Sequence, residues 1–543
     1  MRLQSVAVLG GGPGGLYAAR LLKLAHPDAT VRVYEQGVPE KTFGFGVAVA
    51  GRTQRNLEEA DAASQADIIA AGRPHDMRML VGGQVARVHN GPLIGIARTE
   101  LLAVLTRHAR AAGVELHHGR RYRLDEVDDA DLVVVADGVN SRTRTEHAAD
   151  FGAHVDVADG LYLWAGADFA LDTAIFAPVT TAHGTFVTHA YPYASDRSTF
   201  LIETDEATWR AAGFDVTTEA TGPDVSDTTA LAYLEKAFTE HLDGHRLIGN
   251  RTRWLRFRTV HCERWTRGNA VLLGDAAHTA HYSVGSGTKL AMEDAIALRD
   301  AIAEASDLPT ALARYEHERR PQVQRIQELA RRSMLWWDSF PRRTHLPVDQ
   351  LMVAYMTRTG NVGLQRFAAT NPDIVRRGLA QFADADPAHV PVEGVVDWVL
   401  GRPLTHGDRR WTGRVLPAGD RDRLTAALPE DPAPPPPGAD LARVVVTLDD
   451  PWDAAADALV KKLHDLTLGG WAGFWLTGSA DRHHLLTRLD LGERLRAETA
   501  GLVVVDGPSS SLDDLAAGLA AARTDLVCPI STADRRTHEE VLR

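Results

Sequence analysis

The run Gly10-Gly11-Gly12-Pro13-Gly14-Gly15 constrains the fold of this chain more than any other stretch. It follows the apolar, strand-like Val6-Ala7-Val8-Leu9, opens a helix-like segment, and carries the spacing G-x-G-x-x-G at Gly10, Gly12 and Gly15. Glycine at the first position permits a tight turn, at the second a close approach of backbone to a pyrophosphate, and at the third close helix–strand packing. Pro13 and Gly14 sit where the helix begins, so its N-terminus faces the phosphate charge. Glu35 ends the next strand, about 20 residues on, where a carboxylate accepts hydrogen bonds from ribose hydroxyls. Together these features predict a βαβ unit that binds a dinucleotide.

Later segments narrow the choice of dinucleotide. Asp131-Leu132-Val133-Val134-Val135-Ala136-Asp137-Gly138 is a buried strand entering a polar turn, and alone the plainer reading, a strand with an Asp-Gly turn, wins. Gly274-Asp275-Ala276-Ala277-His278, followed by Gly285-Ser286-Gly287-Thr288-Lys289 and a helical stretch, is more specific. An aspartate at a strand end can hold a ribityl or ribose hydroxyl. A glycine-rich helix N-terminus can present backbone N–H groups to the edge of a flavin that becomes anionic on reduction.

A length of 543 residues exceeds what one hydrophobic core holds, so several domains are expected. Alternating runs such as Thr185–Tyr191 and Ser198–Glu203 predict antiparallel strands between about 160 and 260. The proline-rich Pro429–Gly438 reads as a semi-rigid spacer. Beyond it, Val444–Val446, Gly473–Leu476, Leu502–Val505 and Leu526–Cys528 read as short buried strands, alternating with helices at roughly 453–466, 481–499 and 511–523. The expected class is α/β. A Rossmann-like domain from 1–160 and 260–340 carries an inserted mixed β-sheet substrate domain, 161–259. A helical connecting region (341–428), the linker (429–439) and a small β/α partial-barrel segment (440–543) follow.

Composition closes other routes. Hydrophobic residues at 44% and charged ones at 24% are ordinary globular values, and no apolar run is long enough for a membrane span. A net charge of −13 disfavours nucleic acid as a partner. Cys262 and Cys528 are the only cysteines, so neither a disulfide scaffold nor a thiolate metal site is expected, and no metal site of any kind is read. The N-terminus carries no leader-like pattern, which points to the cytoplasm.

The glycine turn, the Asp137-Gly138 turn and the Gly274-Asp275 segment, in this order, resemble the FAD-dependent aromatic hydroxylases, the para-hydroxybenzoate-hydroxylase-like flavoprotein monooxygenases, over roughly residues 1–400. The resemblance implies that Gly10, Gly12, Gly15 and Glu35 bind the ADP half of FAD, that Arg98 meets the flavin side chain, and that Asp137 and Gly138 serve both FAD and nicotinamide cofactor. It further implies that Asp275 holds the ribityl chain and that Gly285, Gly287 and Thr288 face the flavin. No second G-x-G-x-x-G occurs, so NADPH or NADH would bind only transiently as co-substrate. The related halogenases carry W-x-W-x-I-P, which none of the 11 tryptophans provides.

Thr42–Val47, His189–Tyr193, Ser198–Phe200 and His281–Lys289 are similar to one branch of that family, the salicylyl-CoA and anthraniloyl-CoA hydroxylases. His281 stands where most hydroxylases have proline, beside the reactive edge of the flavin, where imidazole can move a proton. His281 and Tyr282 are therefore the catalytic candidates, and Phe45, His189, Tyr191 and Tyr193 the substrate-binding ones. The implied reaction is hydroxylation or epoxidation of an aryl thioester on CoA or a carrier protein, through a flavin C4a-hydroperoxide formed with NAD(P)H and O2. A free aromatic acid, a phenol or a polyketide is the alternative substrate, and a flavin-binding partner without turnover the alternative role. Arg331-Arg332 and Arg342-Arg343, flanking Trp336 and Trp337, are candidates for thioester phosphates, against the plain reading of a solvated helix face. That branch is fused to an old-yellow-enzyme reductase barrel, which needs about 250 residues. The tail here is far shorter and reads as a relic without FMN, kept for packing, dimerisation or partner docking.

Overall fold

The computed structural model describes residues 1–38, 44–127, 129–430 and 433–531. Thr42 and Phe43 of the branch-like stretch, and Asp431 and Pro432 of the linker, lie outside them. The chain divides into two compact units, Met1–Leu80 with His89–Asp338, and Val81–Val88 with residues 339 onward. Residues 341–428 and 440–543, distinguished in the sequence, thus fall within one unit, as do the FAD-type and sheet segments within the other.

The first unit begins as the sequence predicts: β1 (Ser5–Leu9), α1 (Pro13–Ala25) and β2 (Thr30–Glu35) form a parallel βαβ unit, with β1 also parallel to β3 (Leu132–Val135). The sheet runs Thr266–Arg267, Ala270–Leu272, β3, β1, β2, Glu115–His118, and only its first pair is antiparallel. Every residue of β3 is buried, as helices on both faces of a parallel sheet require. This explains its unbroken Leu-Val-Val-Val run.

A second sheet is mostly antiparallel. It contains β4 (Ala153–Ala167), β5 (Gly184–Pro192), β6 (Ser198–Thr204) and β7 (Trp254–Cys262), with β4 between β6 and β7 and β5 on the far side of β6. Met77–Val81 adds one parallel pairing, to Ala174–Thr181, so the sheet is mixed. Helices α2 (Gly287–Glu304) and α3 (Leu308–Asp338) complete the unit.

In the second unit β8 (Thr425–Ala427), β9 (Leu441–Val446), β10 (Gly473–Gly478), β11 (Leu502–Pro508) and β12 (Leu526–Ile530) form a wholly parallel sheet in sequential order. Helices Ala454–Leu468, Arg482–Glu498 and Leu512–Ala520 connect the last four strands. The β/α rhythm is that of part of a barrel, but the sheet stays open. Among the described residues no helix is long and apolar enough to cross a membrane.

Candidate active site

The turn after β1 brings backbone against backbone. Gly10 has φ +107°, and a Cβ there would lie 2.2 Å from the Ala136 carbonyl oxygen, while one on Gly15 would lie 2.1 Å from that of Gly10. A side chain at either position would force β1, β3 and α1 apart. Gly14 serves packing, since its Cβ would meet Leu273 at 2.8 Å and Ala291 of α2 at 2.9 Å. At Gly12 a Cβ would meet nothing within 4 Å. Open space therefore fronts the N-terminus of α1, where Pro13 begins the helix and no side chain caps its N–H groups. Glu35 braces the turn, its carboxylate accepting from the N–H groups of Gly11 at 2.7 Å and Gly37 at 2.6 Å. Such a concavity of N–H groups is suited to a pyrophosphate.

Asp275 follows strand Ala270–Leu272, and Arg98 begins helix Arg98–Ala112. Burial pushes the Asp275 carboxyl above its usual range while Arg98 opposes the shift. Burial likewise lowers Arg98, and Asp275 opposes that. Arg98 Nε, Asp137 Oδ1 and Ser286 Oγ are buried without a hydrogen-bond partner in the protein. Unpaired buried polar atoms are costly, and a polar ligand would satisfy them. Asp137 Oδ2 accepts from the Arg142 N–H at 2.9 Å, and Gly138 takes φ +81° in that turn. Cβ atoms on Gly285 and Gly287 would meet nothing within 4 Å, so the start of α2, with Thr288, also fronts open space. This donor set fits a flavin dinucleotide: N–H groups for phosphates, buried acids for hydroxyls, a helix start for the ring edge.

Asp294, inside α2, fixes the Gly274-Asp275 turn. It accepts from the Gly274 N–H at 3.0 Å, meets His278 Nε2 at 2.8 Å and takes Arg319 Nε at 2.9 Å, all buried. Sequence reasoning missed Asp294 and Arg319. An acid at position 294, on the helix face that buries Leu290 and Leu298, was the available signal.

Sheet register builds the second half of the site. Tyr162 on β4 lies directly opposite Glu203 on β6, and His189 on β5 lies opposite Leu201 and Phe176, so period-two alternation puts Tyr162, Glu203, His189 and Phe176 on one face. His189 Nε2 stands 3.3 Å from Glu203 Oε2, and the Tyr282 hydroxyl turns to the same carboxylate. Burial pushes Glu203 up, but His189, His281 and Tyr282 together outweigh it and hold the carboxyl below its ordinary range. Burial, reinforced by Glu203, raises Tyr282 well above the ordinary phenol. Trp337 of α3 packs 4.2 Å from His189 and 5.2 Å from Phe176 between ring centres, and Phe257 of β7 lies 4.9 Å from His281. His281 Nδ1 meets Ser283 Oγ at 2.9 Å, which in turn meets Ser333 Oγ at 2.8 Å.

The predicted residues thus divide. His189, His281 and Tyr282 converge with Glu203, whose role the sequence did not reveal. Phe45, Tyr191 and Tyr193 gather instead around strand Gly46–Val49. The Tyr191 hydroxyl donates to the Gly46 carbonyl at 2.8 Å, Tyr193 leaves no room for a Cβ on Gly46, and Phe45 none for one on Gly166. In the second unit Arg342 pairs with Glu498, and Arg343 is buried 2.6 Å from Glu493, so protein carboxylates already serve both arginines. Arg331 is exposed and Arg332 buried.

Residues 4–330 match the model of the FAD binding domain family. The chain is 44% identical over 359 residues to salicyloyl-CoA 5-hydroxylase from a Streptomyces species, which covers 65% of this chain and 69% of that protein. The chain belongs to the FAD-dependent aromatic hydroxylases. It is also 37% identical to a 3-hydroxy-4-methyl-anthranilyl-[aryl-carrier protein] 5-monooxygenase from Streptosporangium sibiricum, over 67% of this chain and 96% of that one. The fold is that of 2-methyl-3-hydroxypyridine-5-carboxylic acid oxygenase, solved as a tetramer, with TM-score 0.50, 21% identity, and 69% and 97% of the two chains covered. The hydroxylase is accordingly an FAD-dependent monooxygenase.

Proposed function

We propose that this hydroxylase oxygenates, by hydroxylation or epoxidation, an aromatic ring of the 2-aminobenzoyl or 2-hydroxybenzoyl type carried as a thioester on CoA or a carrier protein. The observation that carries the reading is Glu203, a buried carboxylate shared by His189 and Tyr282 inside a wall of Tyr162, Phe176, Phe257 and Trp337. An aromatic slot takes the ring, and the polar cluster hydrogen-bonds its amino or hydroxyl substituent. The names of the two relatives, one acting on a CoA ester and one on a carrier-bound anthranilyl group, support the thioester.

In this reading Gly10, Gly12, Pro13, Gly14, Gly15 and Glu35 hold the ADP half of FAD, and Arg98, Asp137, Gly138, Asp275, Gly285, Gly287 and Thr288 its flavin half. FAD, reduced by NADPH or NADH, supplies the activation of dioxygen when bound. His281 holds or moves a proton at the ring substituent, kept in orientation by Ser283, while Trp337, Phe176 and Phe257 exclude water. Phe45, Tyr191 and Tyr193 shape the pocket edge. The open sheet of the second unit carries no FMN, and the enzyme works in the cytoplasm, where reduced nicotinamide is available.

The test is aerobic NAD(P)H oxidation with anthraniloyl-CoA, salicyloyl-CoA, their free acids and a carrier-bound form, products read by mass spectrometry. Hydroxylated thioester is expected, with the free acids poor. Equal turnover of free acid and thioester would refute the thioester.

A further inference from the structure

Outside the flavin cleft, a group of side chains is arranged as metal ligands. The register of β4 and β7 sets His154 directly opposite His261, with Asp156 two residues along β4. Period-two alternation therefore projects all three from one face of the strand pair. The imidazoles stack at 4.6 Å with 13° between their planes. Asp156 Oδ2 lies 3.1 Å from His261 Nε2, and one ligand atom from each residue falls within 4.8 Å of the others. A tetrahedral zinc ion with bonds of about 2.0–2.2 Å separates its ligands by about 3.3–3.5 Å. The carboxylate and one imidazole already stand near that spacing, and the second imidazole, within 4.8 Å, turns out of the stack to reach it.

A buried neighbour holds the backbone behind the pair. The Gln327 amide nitrogen donates to the carbonyls of Val260 and Thr279, each at 2.9 Å. Both amide protons are then used, and Gln327 keeps only its oxygen to offer. His261 Nε2 faces Asp156 Oδ2 at 3.1 Å, so imidazole and carboxylate converge on one point at the surface.

We infer that His154, Asp156 and His261 bind a divalent transition-metal ion of the zinc class, with the Asp156 side, 70% exposed, leaving a coordination position to solvent. The ion would tie the start of β4 to the end of β7. Nothing in the sequence pattern announces the site, because its histidines are far apart in the chain and meet only through strand pairing.

The test uses tag-free, FAD-loaded enzyme, treated with chelator, freed of it, and titrated with zinc chloride against a chromophoric chelator. One zinc ion per chain is expected, with His154→Ala and His261→Ala each weakening affinity by about tenfold or more. Asp156→Asn, at an exposed side chain, should do the same, and keeps the test open if a histidine variant folds poorly. Cobalt in place of zinc should give the visible band of a four-coordinate site, lost in His154→Ala. Absence of saturable zinc binding, or equal affinity in wild type and the His154→Ala/His261→Ala double variant, overturns the site.

Discussion

His189 Nε2 and Glu203 Oε2 lie 3.3 Å apart with only 10% and 11% of their side chains exposed. Their strands are antiparallel neighbours, so β5 and β6 hold the pair rigidly, while Tyr282 approaches the same carboxylate from the loop after Asp275. A charged acid under an aromatic wall needs these partners to stay ionised.

Glu203→Gln should retain FAD, because Glu203 lies on β6 of the second sheet and not in the turn after β1 that fronts the phosphates, yet lose turnover. One charge-assisted hydrogen bond contributes about 1.5–3 kcal/mol, or roughly ten- to hundredfold in kcat/KM. Steady-state kinetics with anthraniloyl-CoA, beside flavin absorbance, separates the two effects. Unchanged kcat/KM would assign Glu203 to packing alone.

The same residue sets a pH dependence of stability. Burial raises its carboxyl, but the contacts with His189, His281 and Tyr282 win and hold it below the ordinary 4.5. A depressed folded pKa contributes stability that is fully present above the unfolded value and disappears as pH falls through the folded one. The gap in unfolding free energy between wild type and Glu203→Gln should be steady from neutrality to pH 4.5 and shrink at more acidic pH. Urea melts across that range measure it, and a gap that widens toward acid contradicts the assignment.

Asp275→Ala should weaken FAD retention about ten- to hundredfold and slow turnover. The carboxyl is pushed up by burial and answered by Arg98, so its removal leaves the arginine facing an empty recess. Flavin content after exhaustive dialysis is the readout, and wild-type content and rate in the variant would remove Asp275 from the flavin site.

The flavin half of the fold was legible because its chemistry is local. Gly10, Gly15 and Glu35 act on backbone a few residues or one strand away, and their spacing alone carries the constraint. The alternating strands of the second sheet and the β/α rhythm of the tail were equally plain, since each is a periodic pattern. Glu203, Asp294 and the His154–His261 pair were not legible, because each depends on register or on helix–turn docking between segments distant in sequence. Thr425–Ala427 escaped for a different reason: a short strand of Thr and Ala has no apolar signature, and pairing with Leu441–Ala442–Arg443 makes it a strand.

His281→Ala should still bind FAD and be reduced, but release more hydrogen peroxide per product. Its Nδ1 is held by Ser283, and its ring packs on Tyr282 at 4.0 Å, so the imidazole is fixed at the edge of the pocket. An acid–base group at that place contributes about 10²–10⁴-fold, whereas a packing residue contributes far less. Product and peroxide assayed together from pH 6 to 9 should show coupling that varies in wild type and is flat in the variant. Tight coupling in the variant at every pH would reduce His281 to a loop residue.

The central claim is monooxygenation of a thioester-bound aromatic ring. It is tested most directly by turnover of anthraniloyl-CoA and NAD(P)H under isotopically labelled dioxygen. Intact thioester product should carry one labelled oxygen atom on its ring, in an amount matching the NAD(P)H consumed. Ring product without label, or NAD(P)H consumption that yields only hydrogen peroxide, would contradict the account.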